Sequence, residues 1–246
     1  MIESHAILVS AVTKRFGGHV AVDGLDLDVP TGCIYGLLGP NGSGKTTTIR
    51  MIMGILLPDQ GSVSLLGLDP EEARRRVGYL PEERGLYKKM KVIDVLTFLA
   101  EIRGIARATG RARAYAWLER MELGAWSHRR VEDLSRGMQQ KVQFIGTVLH
   151  EPDLLILDEP FSGLDPINQD VLEAIVLEFR AQGATILFST HLMDQAERMC
   201  ERVCLISRGR RVLEGDLAEI KHREQSRLHD IFVRHVGGAQ RVASAP

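Results

Sequence analysis

The sequence predicts an α/β fold: strands and helices alternate around one covered sheet, with an antiparallel β segment before it and a helical lobe inserted within it. Three observations predict this. Two bare apolar runs of strand length, Leu154-Leu-Ile-Leu and Ala184-Thr-Ile-Leu-Phe, are each followed by a helical pattern, as in sheets buried on both faces. A glycine-rich loop separates a short apolar strand from a helix. Between about Val92 and His150 the apolar spacing changes to three and four, the period of amphipathic helices.

Taken in order, Val9, Val12 and Phe16 mark a first strand, and Val20 to Val29 alternates around Leu25 and Leu27 until Pro30 and Gly32 turn the chain. Cys33-Ile-Tyr-Gly-Leu-Leu is a short strand running into Gly39-Pro-Asn-Gly-Ser-Gly-Lys-Thr-Thr-Thr, and a helix is predicted from Thr46 to about Ile55. Gly61-Ser-Val-Ser-Leu-Leu-Gly and Val77-Gly-Tyr-Leu are further strands, separated by a charged turn or helix at Glu71 to Arg76. Val92, Val95, Leu96, Leu99 and Ile102, then Tyr115, Leu118 and Met121, give the lobe its helices. Gln169 to Arg180 and Leu192 to Met199 are the helices that follow the two buried strands. Val203-Cys-Leu-Ile and Arg211-Val-Leu form a hairpin around Ser207-Arg-Gly-Arg, and Asp216 caps a helix containing Leu217 and Ile220. After Lys221 the pattern weakens to Leu228, Ile231, Phe232 and Val236, one or two amphipathic turns, with a frayed end from Gly237 to Pro246. The expected organisation is one domain over residues 1–221, with a helical subdomain at about 90–150, and a short tail at 222–246.

The 246 residues, 44% hydrophobic and 26% charged, suffice for one core with a small lobe. Lysine plus arginine total 31 and aspartate plus glutamate 32, a formal net charge of -1, which argues against a polyanion-binding module. The cysteines Cys33, Cys200 and Cys204 are too few for a disulfide scaffold and fit a reducing compartment. Cys200 and Cys204 lie four apart, as on one helix face, and read as buried thiols rather than metal ligands. No run approaches the roughly 18 apolar residues of a membrane helix. Met1-Ile-Glu-Ser-His lacks both the basic and the apolar region of a secretion signal, so a cytoplasmic location is expected.

The chemistry concentrates at three strand ends. In Gly39-xxxx-Gly44-Lys45-Thr46, preceded by a strand and followed by a helix, successive backbone N–H groups point at phosphate oxygens and the helix N-terminus adds positive potential. Lys45 then reaches the β and γ phosphates and the Thr46 hydroxyl joins a Mg²⁺ shell. The complement of such a loop is an acidic residue at the end of a neighbouring buried strand, and Leu154-Leu-Ile-Leu-Asp158-Glu159 supplies two. Asp158 is placed to hold Mg²⁺, and Glu159 to orient or deprotonate the attacking water. His191 leaves the next buried strand, where it reaches a γ phosphate or that water.

With these residues placed, the sequence resembles an ATP-binding-cassette (ABC) ATPase domain over about residues 5–220. The most specific element is Leu134-Ser135-Arg136-Gly137-Met138-Gln139-Gln140, ahead of a helix and roughly twenty residues before the acidic strand end, which resembles the family signature. The resemblance implies a P-loop NTPase fold with a mixed central sheet, an N-terminal antiparallel β subdomain and a helical subdomain. It implies ATP and Mg²⁺ as ligands. Gly39, Pro40, Asn41, Gly42, Ser43, Gly44, Lys45, Thr46 and Thr47 form the phosphate loop, and Phe16 matches the aromatic that stacks on adenine. Ser135 and the N–H of Gly137 contact the γ phosphate bound by a second subunit, Asp165 belongs to the Ser162-Gly-Leu-Asp loop that couples the two sites, and His191 matches the switch histidine. Two positions depart from the family pattern: Arg136 stands where glycine is usual, and Glu82, in Tyr79-Leu-Pro-Glu, where glutamine is usual. Glu82 still approaches Mg²⁺ or the water, but adds negative charge beside the phosphates.

Glu82-Glu-Arg-Gly-Leu-Tyr and the arginine-type signature look most like an exporter branch whose permeases are of the ABC-2 type. The resemblance therefore implies a homodimer of ATPase subunits and separate integral-membrane permeases, with a location on the cytoplasmic face of the membrane through them. The coupling surface is expected at Glu83 to Lys91, with Leu86, Tyr87 and Met90 as its apolar contacts. Two alternatives remain beside this reading: a soluble cassette ATPase acting on nucleic acid or ribosomes, and a weakly hydrolysing regulator. Balanced charge and a single phosphate loop disfavour the first, so no direct nucleic-acid partner is expected; Glu159 disfavours the second.

Overall fold

The computed structural model describes residues 5–83 and 85–237. Strands β1 (His5–Phe16), β2 (His19–Pro30) and β4 (Gln60–Leu65) form an antiparallel sheet in the order β2-β1-β4. The central sheet has the order β5-β6-β7-β3-β8-β9, from β5 (Val77–Leu80), β6 (Leu154–Asp158), β7 (Thr185–Thr190), β3 (Ile34–Leu38), β8 (Arg202–Ser207) and β9 (Arg210–Asp216). Its first five strands are parallel and β9 returns antiparallel along β8. The sheet is therefore mixed.

Alternation along the central strands divides the core into two layers. Ile34, Leu38, Leu155, Leu157, Ile186, Phe188, Val203 and Leu205 face one hydrophobic cluster. Tyr35, Leu37, Leu154, Ile156, Leu187, Cys204 and Ile206 face the other. Both faces being covered explains why these strands read as unbroken apolar runs. The second layer is closed by α1 (Lys45–Ile52), the short α2 (Pro70–Ala73) and the N-terminal sheet. The first is closed by α3 (Val92–Ile102), α4 (Arg107–Arg120) and α5 (Arg136–Val148) of the helical lobe, with α6 (Pro166–Ala181), α7 (Met193–Met199), α8 (Leu217–Glu224) and α9 (Leu228–Phe232). Lobe and sheet share this cluster.

Within it, Trp117 of α4 stacks on Phe179 of α6 with centroids 6.1 Å apart, and Arg120 lies over the Trp117 ring while pairing with Glu178. Helix α1 starts one residue earlier and ends sooner than the pattern suggests, because Gly54 adopts φ +63° and turns the chain after Met53. The cysteine spacing misleads: Cys200 follows α7 in extended backbone and Cys204 lies in β8, so the two share no helix face. All three thiols are free and buried, and burial raises that of Cys33 to about 11. Cys200 also explains Gly36 in β3, since a Cβ there would collide with its Sγ. Past Lys221, Leu228, Ile231 and Val236 are buried in the shared cluster, and Lys221 pairs with Glu197 of α7. The expected frayed end lies, beyond Gly237, outside the described residues.

Candidate active site

The parallel order brings the carboxyl ends of β3, β6 and β7 side by side, the edge at which sheets of this kind bind ligands. The loop after β3 wraps into α1 through two residues in the left-handed region, Gly42 at φ +76° and Gly44 at φ +108°. A side chain at Gly44 would also meet the Ala21 carbonyl, so glycine is required there twice over. Ser43 N–H donates to Pro40 O at 3.1 Å, and Gly209 N–H donates to Ser43 O at 2.8 Å, tying the loop to the β8–β9 turn. Lys45 is buried and donates to Gly39 O at 2.8 Å and Pro40 O at 3.3 Å. Its charge faces one carboxylate, Glu159 Oε1, at 3.5 Å.

Asp158 and Glu159 are both buried but differ in setting. Asp158 Oδ1 accepts from Ser189 Oγ at 2.6 Å and from Thr46 Oγ1 at 3.4 Å, while Oδ2 is buried and without a hydrogen-bond partner among the described residues. Burial raises the Asp158 carboxyl above the ordinary carboxylate range, against the opposing effect of those two hydroxyl donors. An orphaned carboxylate oxygen beside a threonine hydroxyl has the donor chemistry of a Mg²⁺ site that relies on one carboxylate plus substrate phosphates. The residues fit the ion.

Glu159 turns off the strand with φ +49°, a costly conformation for a non-glycine residue. Its N–H donates to Ser189 Oγ at 3.0 Å, and its carboxylate accepts from His191 Nδ1 at 3.1 Å. Lys45, Thr46, Asp158, Glu159 and His191 thus converge. A cavity of about 380 Å³ opens beside them, lined by Phe16, His19, Ala21, Asn41, Gly42, Gly44, Lys45, Thr46, Thr47, Glu82 and Glu159; Asp158 and His191 stand behind this lining. Phe16 stands at its lip, 51% exposed, with Lys14 Nζ 5.9 Å from its ring centroid.

Other residues singled out in the sequence lie elsewhere. Ser135 caps α5, its Oγ accepting from Met138 N–H at 3.3 Å, and Gly137 lies in the first turn of that helix. Asp165 caps α6 through Asn168 N–H at 3.1 Å, and the hydrogen bonds from Asn168 hold its carboxyl below the ordinary range. None of the three lines the cavity over the phosphate loop. Leu86 and Met90 are half-buried and pack against the shared core, whereas Tyr87 is 53% exposed and meets the edge of Phe98 at 5.7 Å.

Sequence patterns alone gave no sign of Ser189, the register partner of Asp158, which bridges the two acidic residues. Nor did they show Gln143, whose Nε2 donates to Pro81 O and Glu83 O, each at 3.1 Å, and so brackets Glu82. Gln140 similarly ties α5 to Pro160 O at 3.2 Å.

A family model described as ABC transporter matches residues 22–162. An uncharacterized ABC transporter ATP-binding protein of Bacillus subtilis, YhaQ, is 49% identical over 216 residues, covering 87% of this chain and 72% of the relative. The daunorubicin/doxorubicin resistance ATP-binding protein DrrA of Streptomyces peucetius is 36% identical over 98% of this chain and 76% of its own length. A solved structure of the ATP binding subunit of an ABC transporter superposes with a TM-score of 0.86 at 31% identity, covering 93% of this chain and 98% of that one. The chain thus belongs to the ABC transporter family, as an ATP-binding subunit.

Proposed function

We propose that the chain hydrolyses ATP with Mg²⁺ and couples the closing of an ATPase dimer to export by separate membrane permeases. The observation that supports hydrolysis best is the pairing of two differently held carboxylates: Asp158, bound by hydroxyls with one oxygen free, and Glu159, held by Lys45 and His191. The phosphate loop N–H groups and Lys45 bind the triphosphate, which then takes over the part of Lys45 now given to loop carbonyls and Glu159. Thr46 and Asp158 would hold Mg²⁺, which would supply positive charge against the phosphates. Glu159 orients a water for in-line attack and accepts its proton as the bond to ADP breaks. His191 N–H fixes the Glu159 carboxylate, and Glu82 reaches the same cavity beside the water and the ion.

Ser135, the Gly137 N–H and Asp165, all outside the cavity of their own chain, are available to a second copy. A homodimer completes two sites in this way. The match to DrrA, whose name states drug resistance, and the likeness of the Glu82 segment support an ABC-2 type exporter. Exposed Tyr87 and Phe98 form the permease-facing contact on the helical lobe. Among the described residues no helix is long and apolar enough to cross a membrane, so the transport path is assigned to partner chains and the protein to the cytoplasmic face of the membrane.

ATP turnover by the wild type against Glu159→Gln tests the reading. The expected outcome is a fall of at least about 100-fold, the scale of a lost general base, with ATP binding retained. A wild type no faster than the variant overturns hydrolysis.

A further inference from the structure

His19 lines the same cavity as the phosphate loop but has no role in the chemistry above. It is placed there by the hairpin: Phe16 and His19 are register partners at the end of β1 and β2, joined by Gly17-Gly18. Paired residues across an antiparallel ladder present their side chains on one face, about 5 Å apart. The phenyl ring and the imidazole therefore stand at the same level of the cavity, both among its lining residues. Among the described residues the imidazole has no hydrogen-bond or ion-pair partner, in contrast to His191, which is held by Glu159.

The position of His19 along the cavity is fixed from the other side. Ala21, two residues on, falls at a register shift between the Arg15–Val20 and Lys14–Val22 pairs, and its carbonyl abuts Gly44 of the phosphate loop. Such shifts re-aim side chains beside sites. Two residues of extended chain cover about 7 Å. His19 thus sits one sugar's length from the phosphate end and level with the aromatic lip. In a nucleoside triphosphate the group between base and phosphates is the ribose, and what it offers there is a pair of hydroxyls.

We propose that His19 is a nucleotide-binding residue whose ring nitrogen hydrogen-bonds the ribose hydroxyls, making the site select ribonucleotides over 2′-deoxyribonucleotides. The inference rests on reading the cavity as an ATP site. The test is equilibrium binding of ATP and 2′-deoxyATP to the full chain and to His19→Ala and His19→Asn, with thermal melts confirming that these exposed substitutions leave the fold intact. The wild type is expected to prefer ATP by about tenfold, near the upper end of what one hydrogen bond supplies. His19→Ala loses about that factor for ATP, binds both nucleotides alike, and His19→Asn, which keeps a donor, recovers part of the preference. Wild type that binds both equally, or a His19→Ala that keeps the preference, overturns the assignment while the ATP site stands. Wild type that binds neither, with Lys45→Ala no different, overturns the ATP reading itself and His19 with it.

Discussion

Ser189 links the two acidic residues, since its one hydroxyl donates to Asp158 and accepts from the Glu159 backbone. Its removal leaves a buried, charged oxygen short of a donor. For Ser189→Ala we expect kcat to fall roughly tenfold to a hundredfold, the range of a hydrogen bond to a charged group. The Mg²⁺ concentration for half-maximal turnover should rise, and near-ultraviolet circular dichroism should remain unchanged. Asp158→Asn gives the opposite balance. Removing a buried charge should raise the melting temperature of the nucleotide-free protein by roughly 2–4 °C, the shift that corresponds to about 1 kcal/mol at this size. The same substitution should abolish the further stabilisation by Mg²⁺ with ATP in a thermal melt. At this scale the sequence was most legible where the candidate residues sit on a linear motif: Asp158 ends β6, and Lys45, Thr46, Glu159 and His191 each follow a strand by a short offset. Ser189, Gln143 and His19 were not, because their places at the site come from register and from tertiary contact, which neighbouring residues do not encode.

Elements were legible where burial wrote itself as periodicity. The strands β3, β6 and β7 are covered on both faces and so appear as apolar runs, while α9 has only Leu228 and Ile231 buried within it and gave a weak signal. The Cys200 and Cys204 spacing suggested a helix because a four-residue interval does not reveal that α7 ends at Met199. Two contacts decide how firmly the helical lobe is held. Trp117→Ala removes the stack on Phe179 and uncovers Arg120. A loss of about 2 kcal/mol is expected, below the cost at a fully buried site, read as a fall in the denaturant midpoint. His150, at the end of the α5 region, bonds Val77 O of β5 through Nε2 at 3.1 Å. Burial first, and then the Arg103 charge, lower it from 6.5 to about 4. The unfolded chain therefore binds the extra proton between these values, and stability must fall as pH drops from about 6.5 through 4. Replacing the ring by His150→Gln should flatten that part of the urea-midpoint profile by about 2 kcal/mol.

For the whole molecule, the main prediction is association. With ATP, Glu159→Gln should form a dimer that persists in light scattering, and adding Ser135→Arg should return it to a monomer, because the signature helix would then meet the neighbouring nucleotide with a bulky side chain. An ATP-loaded Glu159→Gln that stays monomeric at high concentration refutes the split site. The sequence could point to this arrangement only through resemblance, since Ser135 and Asp165 act within their own chain as helix caps.

The strand order also has a consequence for synthesis. Among the described residues β3 pairs only with β7 and β8, which follow it by about 150 residues; at ribosomal rates of roughly 5–20 residues per second, the nascent phosphate loop spends on the order of ten seconds or more without either neighbour. During that interval the apolar strand Ile34–Leu38 is an unpaired edge exposed to aggregation. The acidic end of β6 comes beside the phosphate loop only once β7 has slotted between β3 and β6, so nucleotide binding is expected late in synthesis rather than at its start.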